Sequence, residues 1–241
     1  MKTKLSVADI DDKSGKPIVV AVIASRKDLL IALRHPDSAR AYEWRVDLTH
    51  GKRTVEGIER LKRLGKLIIL TVRDPNEGGQ RPKWHMDKRV ELIRKYMHLA
   101  SMVDVEIRLA VKLRELVEEL QRAGIRVVFS FHVLEPVRFE IARVWLESFA
   151  DIFESLGADE DVFKVAVNVE DSRDMSLFSR YFYRLMKQFP CRIAPMPIGE
   201  KYGKRLRLEY ARRGAALVYC YLGEAVIAGQ WQVSELQRRL N

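Results

Sequence analysis

The chain has 241 residues, 47% of them hydrophobic, a length and apolar content suited to one large α/β domain with a sizeable core. Its formal charge is +10, and it has two cysteines, Cys191 and Cys220, without metal-ligand or CxxC spacing. No apolar run approaches the ~18–20 residues of a membrane helix, and the basic N-terminal stretch lacks a signal-peptide core, so the expectation is a cytoplasmic, reduced enzyme with no metal, cofactor or membrane partner.

Eight short apolar runs follow one another along the chain: residues 17–23, 41–48, 66–72, 102–107, 125–131, 162–169, 191–196 and 214–220. Between them lie longer stretches with helical spacing of apolar residues, such as 54–64, 86–100 and 139–156. Gly65, Gly124 and Gly214 stand where left-handed helix C-caps are expected. Eight strand–helix units in this length predict a (β/α)8 TIM barrel, with residues 1–241 as one catalytic domain.

In a barrel, the chemistry belongs at the C-terminal ends of the strands. In the second run, alternation puts Glu43, Arg45 and Asp47 on one face and Trp44, Val46 and Leu48 on the other, so the charged face points inward. That face is either a buried salt-bridge layer or part of a site. Arg73 ends the third run, and the loop after it brings Glu77, Gly78 and Gly79, a surface turn or a close approach to a ligand. His132 closes the fifth run as a candidate acid–base group, whereas His35, His50, His85 and His98 read as surface or packing residues.

Lys164 sits inside an otherwise apolar strand. Lysine is rarely buried without a purpose, and a desolvated ammonium gives up its proton more readily, so it reads as a Schiff-base nucleophile. The alternative is a lysine near the barrel mouth, snorkelling to water or pairing with Glu43 or Glu106. Further on, Gly199 and Gly203 precede a basic turn, the place where barrels hold anions, and Gln230 offers a hydrogen bond before the last helix. Lys201, Lys204, Arg205, Arg207, Arg212 and Arg213 crowd this stretch, but bases elsewhere are interspersed with acids, the pattern of solvated helix faces.

Taken in order, EWRVD (43–47), TVRDPNEGG (71–79), the VDVE of the fourth strand, SFH (130–132), the strand lysine in FKVAV, the GxxxGxxxR segment ending at Arg207 and AGQ (228–230) resemble the type I 3-dehydroquinate dehydratases of the shikimate pathway, over nearly the whole chain. The resemblance implies dehydration of 3-dehydroquinate to 3-dehydroshikimate by a homodimeric lyase without cofactor or metal. Lys164 would form an imine with the ring ketone, His132 would move the proton alpha to it, and Glu77 would position His132. Glu43, Arg45 and Arg73 would hold the ring hydroxyls, and Arg207 with Gln230 the carboxylate. Three departures touch substrate binding: Leu206, Val226 with Ala228, and Val22 stand where the family pattern has serines, and Ser25 is a candidate replacement for the last. Each hydrogen bond lost to a charged group costs ~1.5–3 kcal/mol. Two other readings stay open: a related Schiff-base lyase or aldolase for a different small keto acid, and a basic barrel that binds nucleic acid.

Overall fold

The structure, a computed structural model, describes residues 16–49, 53–169 and 171–240; the N-terminal stretch and His50 lie outside them. Eight parallel strands alternate with eight main helices. The strands are β1 Ile18–Ile23, β2 Ala41–Arg45, β3 Leu67–Thr71, β4 Met102–Glu106, β5 Arg126–Pro136, β6 Val162–Asn168, β7 Ile193–Ile198 and β8 Leu217–Tyr221. The helices are α1 Arg26–Arg34, α2 Thr54–Arg63, α3 Met86–Tyr96, α4 Arg114–Arg122, α5 Phe139–Leu156, α6 Ser172–Gln188, α7 Gly203–Arg212 and α8 Val233–Leu240. Hydrogen-bonded order runs from β7 down to β1 and on to β8, with a two-residue strand, β9 Trp231–Gln232, outside β8. This is the expected (β/α)8 barrel.

The ring meets itself between β7 and β8, where the Ala216 N–H donates to the Ile193 carbonyl at 2.8 Å. A strand residue presents its N–H and C=O to the same neighbour, so residues 193, 195 and 197 all face β8. Two of those three are Pro195 and Pro197, which have no donor. The ladder therefore stops at this seam, as prolines dictate at a sheet edge.

Side chains inside the barrel follow the alternation. Val20, Ala41, Leu67, Ile69, Met102, Val128 and Val162 fill the lower layers, and Glu43, Thr71, Asp104, Ser130 and Lys164 occupy the layer above. The larger apolar layer lies between strands and helices, where Phe153 of α5 packs on Phe129, Phe163 and Phe189 with ring centroids 5.4–5.7 Å apart. The three cap glycines all have positive φ, from 70° to 93°.

Several boundaries differ from the sequence reading. β2 stops at Arg45, so Asp47 lies in a short helix, Val46–Thr49, rather than as a third inward strand residue. β5 runs on to Pro136, which places His132 within the strand rather than at its end. β7 is shifted two residues forward, because Cys191, at φ 57°, has a left-handed backbone that a strand cannot include.

Phe153→Ala should remove about 3–5 kcal/mol of stability, because the cluster closes one side of the outer core. Denaturant unfolding checks this: the midpoint should fall while the slope stays at its wild-type value.

Candidate active site

At the C-terminal mouth of the barrel lies a cavity of about 420 Å³. All eight residues singled out in the sequence line it: Glu43 and Arg45 from β2, Arg73 and Glu77 from the loop after β3, His132 from β5, Lys164 from β6, Arg207 from α7 and Gln230 from the loop before β9. Val22, Leu48, Leu134, Ala166, Met196, Val226 and Ile227 supply an apolar wall. Exposed positions are held by His35, His85 and His98.

Lys164 is buried, and its Nζ donates to Asp104 Oδ2 at 3.1 Å and Glu43 Oε1 at 3.5 Å. The ring of Tyr219 lies under it, with Nζ 4.3 Å from the centroid, a favourable place for a cation. These acids are themselves held. Arg73 Nη2 donates to Asp104 at 2.9 Å, and its Nη1 donates to Ser130 at 2.8 Å and Glu106 at 3.2 Å. Ser130 donates in turn to Asp104 at 2.6 Å, and Thr71 donates to Glu43 at 2.9 Å. Burial alone would raise the Asp104 carboxyl, but the charges of Arg73 and Lys164 outweigh it and hold it far below the usual carboxylate range. Glu106, which the sequence offered as a partner for Lys164, is taken instead by Arg89, Arg73 and the Asp74 N–H.

His132 and Glu77 form a second unit. Nδ1 of the imidazole lies 2.8 Å from Glu77 Oε2, the same oxygen that accepts the His132 backbone N–H at 2.9 Å, and Arg108 donates to Glu77 Oε1 at 2.8 Å. Burial, reinforced by the positive charges of Arg73 and Lys164, keeps the imidazole well below its ordinary value. Burial also pushes Glu77 up to about 7, with Glu106 adding to the effect and Arg73 and Arg108 opposing it. The histidine is therefore neutral, and once Glu77 is ionised the imidazole proton sits on Nδ1, leaving Nε2 as a base.

Glu77 owes its place to local chain geometry. Asp74 accepts the Asn76 N–H at 2.8 Å and opens a single 3₁₀ turn, Pro75–Glu77. The next residues must be small, because a Cβ on Gly79 would stand 2.3 Å from the Arg73 carbonyl. Asp47 ties this loop to β2: it grips Arg45 through both oxygens at 2.7–2.8 Å, accepts the Gln80 N–H at 3.2 Å, and its carbonyl accepts Arg81 Nε at 2.9 Å.

Arg207 is buried, and among the described residues no carboxylate pairs with it. Its Nε donates to the Pro197 carbonyl at 2.9 Å, an acceptor made available by the seam, and burial pushes its ionisation down to about 10. A desolvated guanidinium beside an open cavity is a ready site for an anion. Gln230 stands next to it in the same wall, with Oε1 accepting the Val226 and Ile227 N–H groups at 3.1 and 3.3 Å, so its amide nitrogen is the group left for a ligand. This loop and α7 meet where Gly229, at φ 81°, approaches Gly203; a Cβ on Gly203 would be 2.8 Å from the Gly229 Cα.

Three sequence expectations are refined here. Leu206 points into the outer core and does not border the cavity, whereas Val22 and Val226 do. Ser25 caps α1, accepting the Asp28 N–H at 3.2 Å, and is no substitute for a pocket serine. Of the basic stretch, Lys204 pairs with Glu235 and Arg213 with Glu209. Asp104 and Tyr219 were not singled out in the sequence, although the inward alternation that exposed Glu43 and Arg45 also marks Asp104 in VDVE.

The model of a family described as type I 3-dehydroquinase matches residues 18–241. A 3-dehydroquinate dehydratase from Ignicoccus hospitalis is 31% identical over 204 residues, 83% of each chain, and one from Methanococcoides burtonii is 26% identical over 98% of this chain and 97% of its own. Among solved structures, a type I 3-dehydroquinate dehydratase from Clostridium difficile with covalently modified comenic acid superposes with a TM-score of 0.81 at 24% identity, covering 100% of this chain and 98% of that one. The Geobacillus kaustophilus 3-dehydroquinate dehydratase gives 0.78 at 20%, covering 93% and 90%.

Carboxyl and imidazole resonances should separate the two halves of the His132–Glu77 pair. The Glu77 carboxyl should titrate near 7 while His132 stays neutral at lower pH, with its proton on Nδ1 above that midpoint. Arg108→Ala, which removes a group that lowers Glu77, should move that midpoint upward. An imidazolium signal at pH 6 would contradict the assignment.

Proposed function

The chain belongs to the type I 3-dehydroquinase family, and on that premise we propose that it dehydrates 3-dehydroquinate to 3-dehydroshikimate through a Schiff base on Lys164, with His132 as general acid and base. The observation that carries this reading is that a buried lysine, a neutral, carboxylate-backed histidine and an arginine with no carboxylate partner among the described residues border one cavity. Arg207 and the Gln230 amide receive the substrate carboxylate, and a planar guanidinium suits that two-point contact better than an ammonium. Glu43 and Arg45 take the ring hydroxyls. Arg73 also lines the cavity as a further donor to the hydroxyls, and its two terminal nitrogens hold the acids in place.

With the carboxylate anchored, the ring ketone is presented to Nζ of Lys164. The amine attacks the carbonyl carbon, water leaves, and the cationic imine becomes an electron sink beside the carbon that must lose a proton. Nε2 of neutral His132 takes that proton, with Glu77 stabilising the imidazolium through Nδ1. The same imidazolium then returns the proton to the departing hydroxyl, so that water leaves and the double bond forms. Hydrolysis of the imine frees the product and restores Lys164. The chain works as a homodimer in this reading, as the family resemblance suggests.

Val22 and Val226, apolar where serines were expected, favour one second reading: the same imine chemistry on a small keto acid with fewer polar groups. A borohydride screen with several keto acids separates the two, since this second reading requires stronger trapping by another ketone than by 3-dehydroquinate.

Mixing the protein with 3-dehydroquinate should give the rising ultraviolet absorbance of a conjugated enone. Lys164→Ala should abolish that rise while the barrel stays folded, and borohydride with substrate should leave an adduct on Lys164 alone. His132→Ala should still form the adduct but turn over ~10²–10⁴-fold more slowly. An unlabelled Lys164 in the wild-type protein would remove the imine from the mechanism.

A further inference from the structure

Among the described residues, four buried side-chain polar atoms have no hydrogen-bond partner, and one of the four, Tyr219 Oη, belongs to a residue lining the active-site cavity. Its position is unusual for a tyrosine without a partner. β8 points it into the barrel, its ring lies under Lys164 Nζ, and it is almost wholly shielded from solvent. A buried hydroxyl without a partner destabilises a fold, so a phenylalanine would pack in its place with less cost to the resting protein. The hydroxyl stays a donor, since burial, with Glu43 and Asp104 adding to it, raises its ionisation well above the ordinary value.

Counting donors at Nζ shows when a partner becomes available. In the resting protein, the ammonium donates to both Asp104 and Glu43. Condensation of that ammonium with a ketone forms the C=N bond and expels the carbonyl oxygen with two of the nitrogen's three protons as water. The positive charge remains, but a single N–H is left, and one N–H cannot serve both carboxylates as the ammonium did. One buried carboxylate therefore loses a donor at the moment the imine forms.

We infer that Tyr219 is a positioning residue for the imine stage: its hydroxyl, without a partner in the resting barrel, donates to the carboxylate of the Asp104–Glu43 pair that Lys164 releases. The ring face holds the ammonium before condensation, and the hydroxyl satisfies the released carboxylate after it. This inference rests on the Schiff-base reading above. It gives Tyr219 a cost in the free enzyme and a gain in the covalent intermediate, the opposite of a residue kept for packing.

Tyr219→Phe tests it, since the ring is retained and only the oxygen is lost. Four quantities are measured for wild type and variant side by side: thermal unfolding without substrate, the fraction of Lys164 trapped by borohydride at subsaturating 3-dehydroquinate, kcat and KM. The inference expects an unfolding temperature at or above wild type, with trapped adduct and kcat/KM lowered by ~10-fold or more, the scale of a hydrogen bond to a charged group. Wild-type trapping and turnover in the variant would overturn it. A lowered unfolding temperature would also overturn it, because the oxygen would then be a structural partner in the free protein. Failure of wild type itself to trap on Lys164 would overturn the Schiff-base reading and this inference with it, whereas normal wild-type trapping with an unaffected variant would overturn the inference alone.

Discussion

Burying the Lys164 ammonium imposes a chain of requirements that runs through half of the barrel. A lone charge in the interior carries a desolvation cost of several kcal/mol, so Asp104 and Glu43 must come within reach of it. Two buried acids on one lysine then demand further positive charge, supplied by Arg73, which binds Asp104 and Glu106. Glu106 in turn draws in Arg89, whose other end holds Asp74, the residue that opens the turn carrying Glu77. Removing any one partner would strand a charge away from water. The network therefore orients the loop after β3 as firmly as it holds the lysine.

Against this paired interior, Arg207 stands out. It lines the same cavity in comparable burial, yet its contact is the carbonyl of Pro197. That carbonyl faces away from β6 because the strand alternates, and it is free because the proline seam forms no ladder to β8. A feature of barrel closure thus determines where the Arg207 guanidinium is anchored. The cavity therefore holds both a saturated charge network around Lys164 and Arg73 and, in Arg207, a cation with no carboxylate partner among the described residues. A small anionic ketone would be oriented by that difference before any covalent bond forms.

His132 and Glu77 form a separate unit in the same cavity. Their backbone and side-chain hydrogen bonds converge on one carboxylate oxygen, so the tautomer and the ring orientation are set together. Burial, reinforced at a distance by Arg73 and Lys164, keeps the imidazole neutral, while Glu77 remains the group whose charge changes near neutral pH. The lysine network and the histidine pair therefore influence each other electrostatically, and they are joined through the backbone where the Glu77 N–H donates to the Asp74 carbonyl at 2.9 Å.

Much of this was legible in the sequence for a local reason. Side-chain direction in a strand alternates with period two, so inward-facing Glu43, Arg45 and Lys164 could be read directly, and the eight alternating units implied a barrel whose strand ends form the site. What the sequence could not decide depends on relations between elements distant in the chain. Neighbouring-strand register sets Lys164 level with Ser130 and, through it, Glu106. Arg89 on α3 nevertheless draws Glu106 away, leaving Asp104 as the lysine's partner. The rotation of α7 turns Leu206 into the outer core and Arg207 into the cavity. The hydroxyl of Ser25 is committed to capping α1, and that of Tyr219 has no hydrogen-bond partner among the described residues. Each of these follows from packing across the barrel, where a side chain's partner is whichever group the fold brings near, and no local pattern encodes that choice.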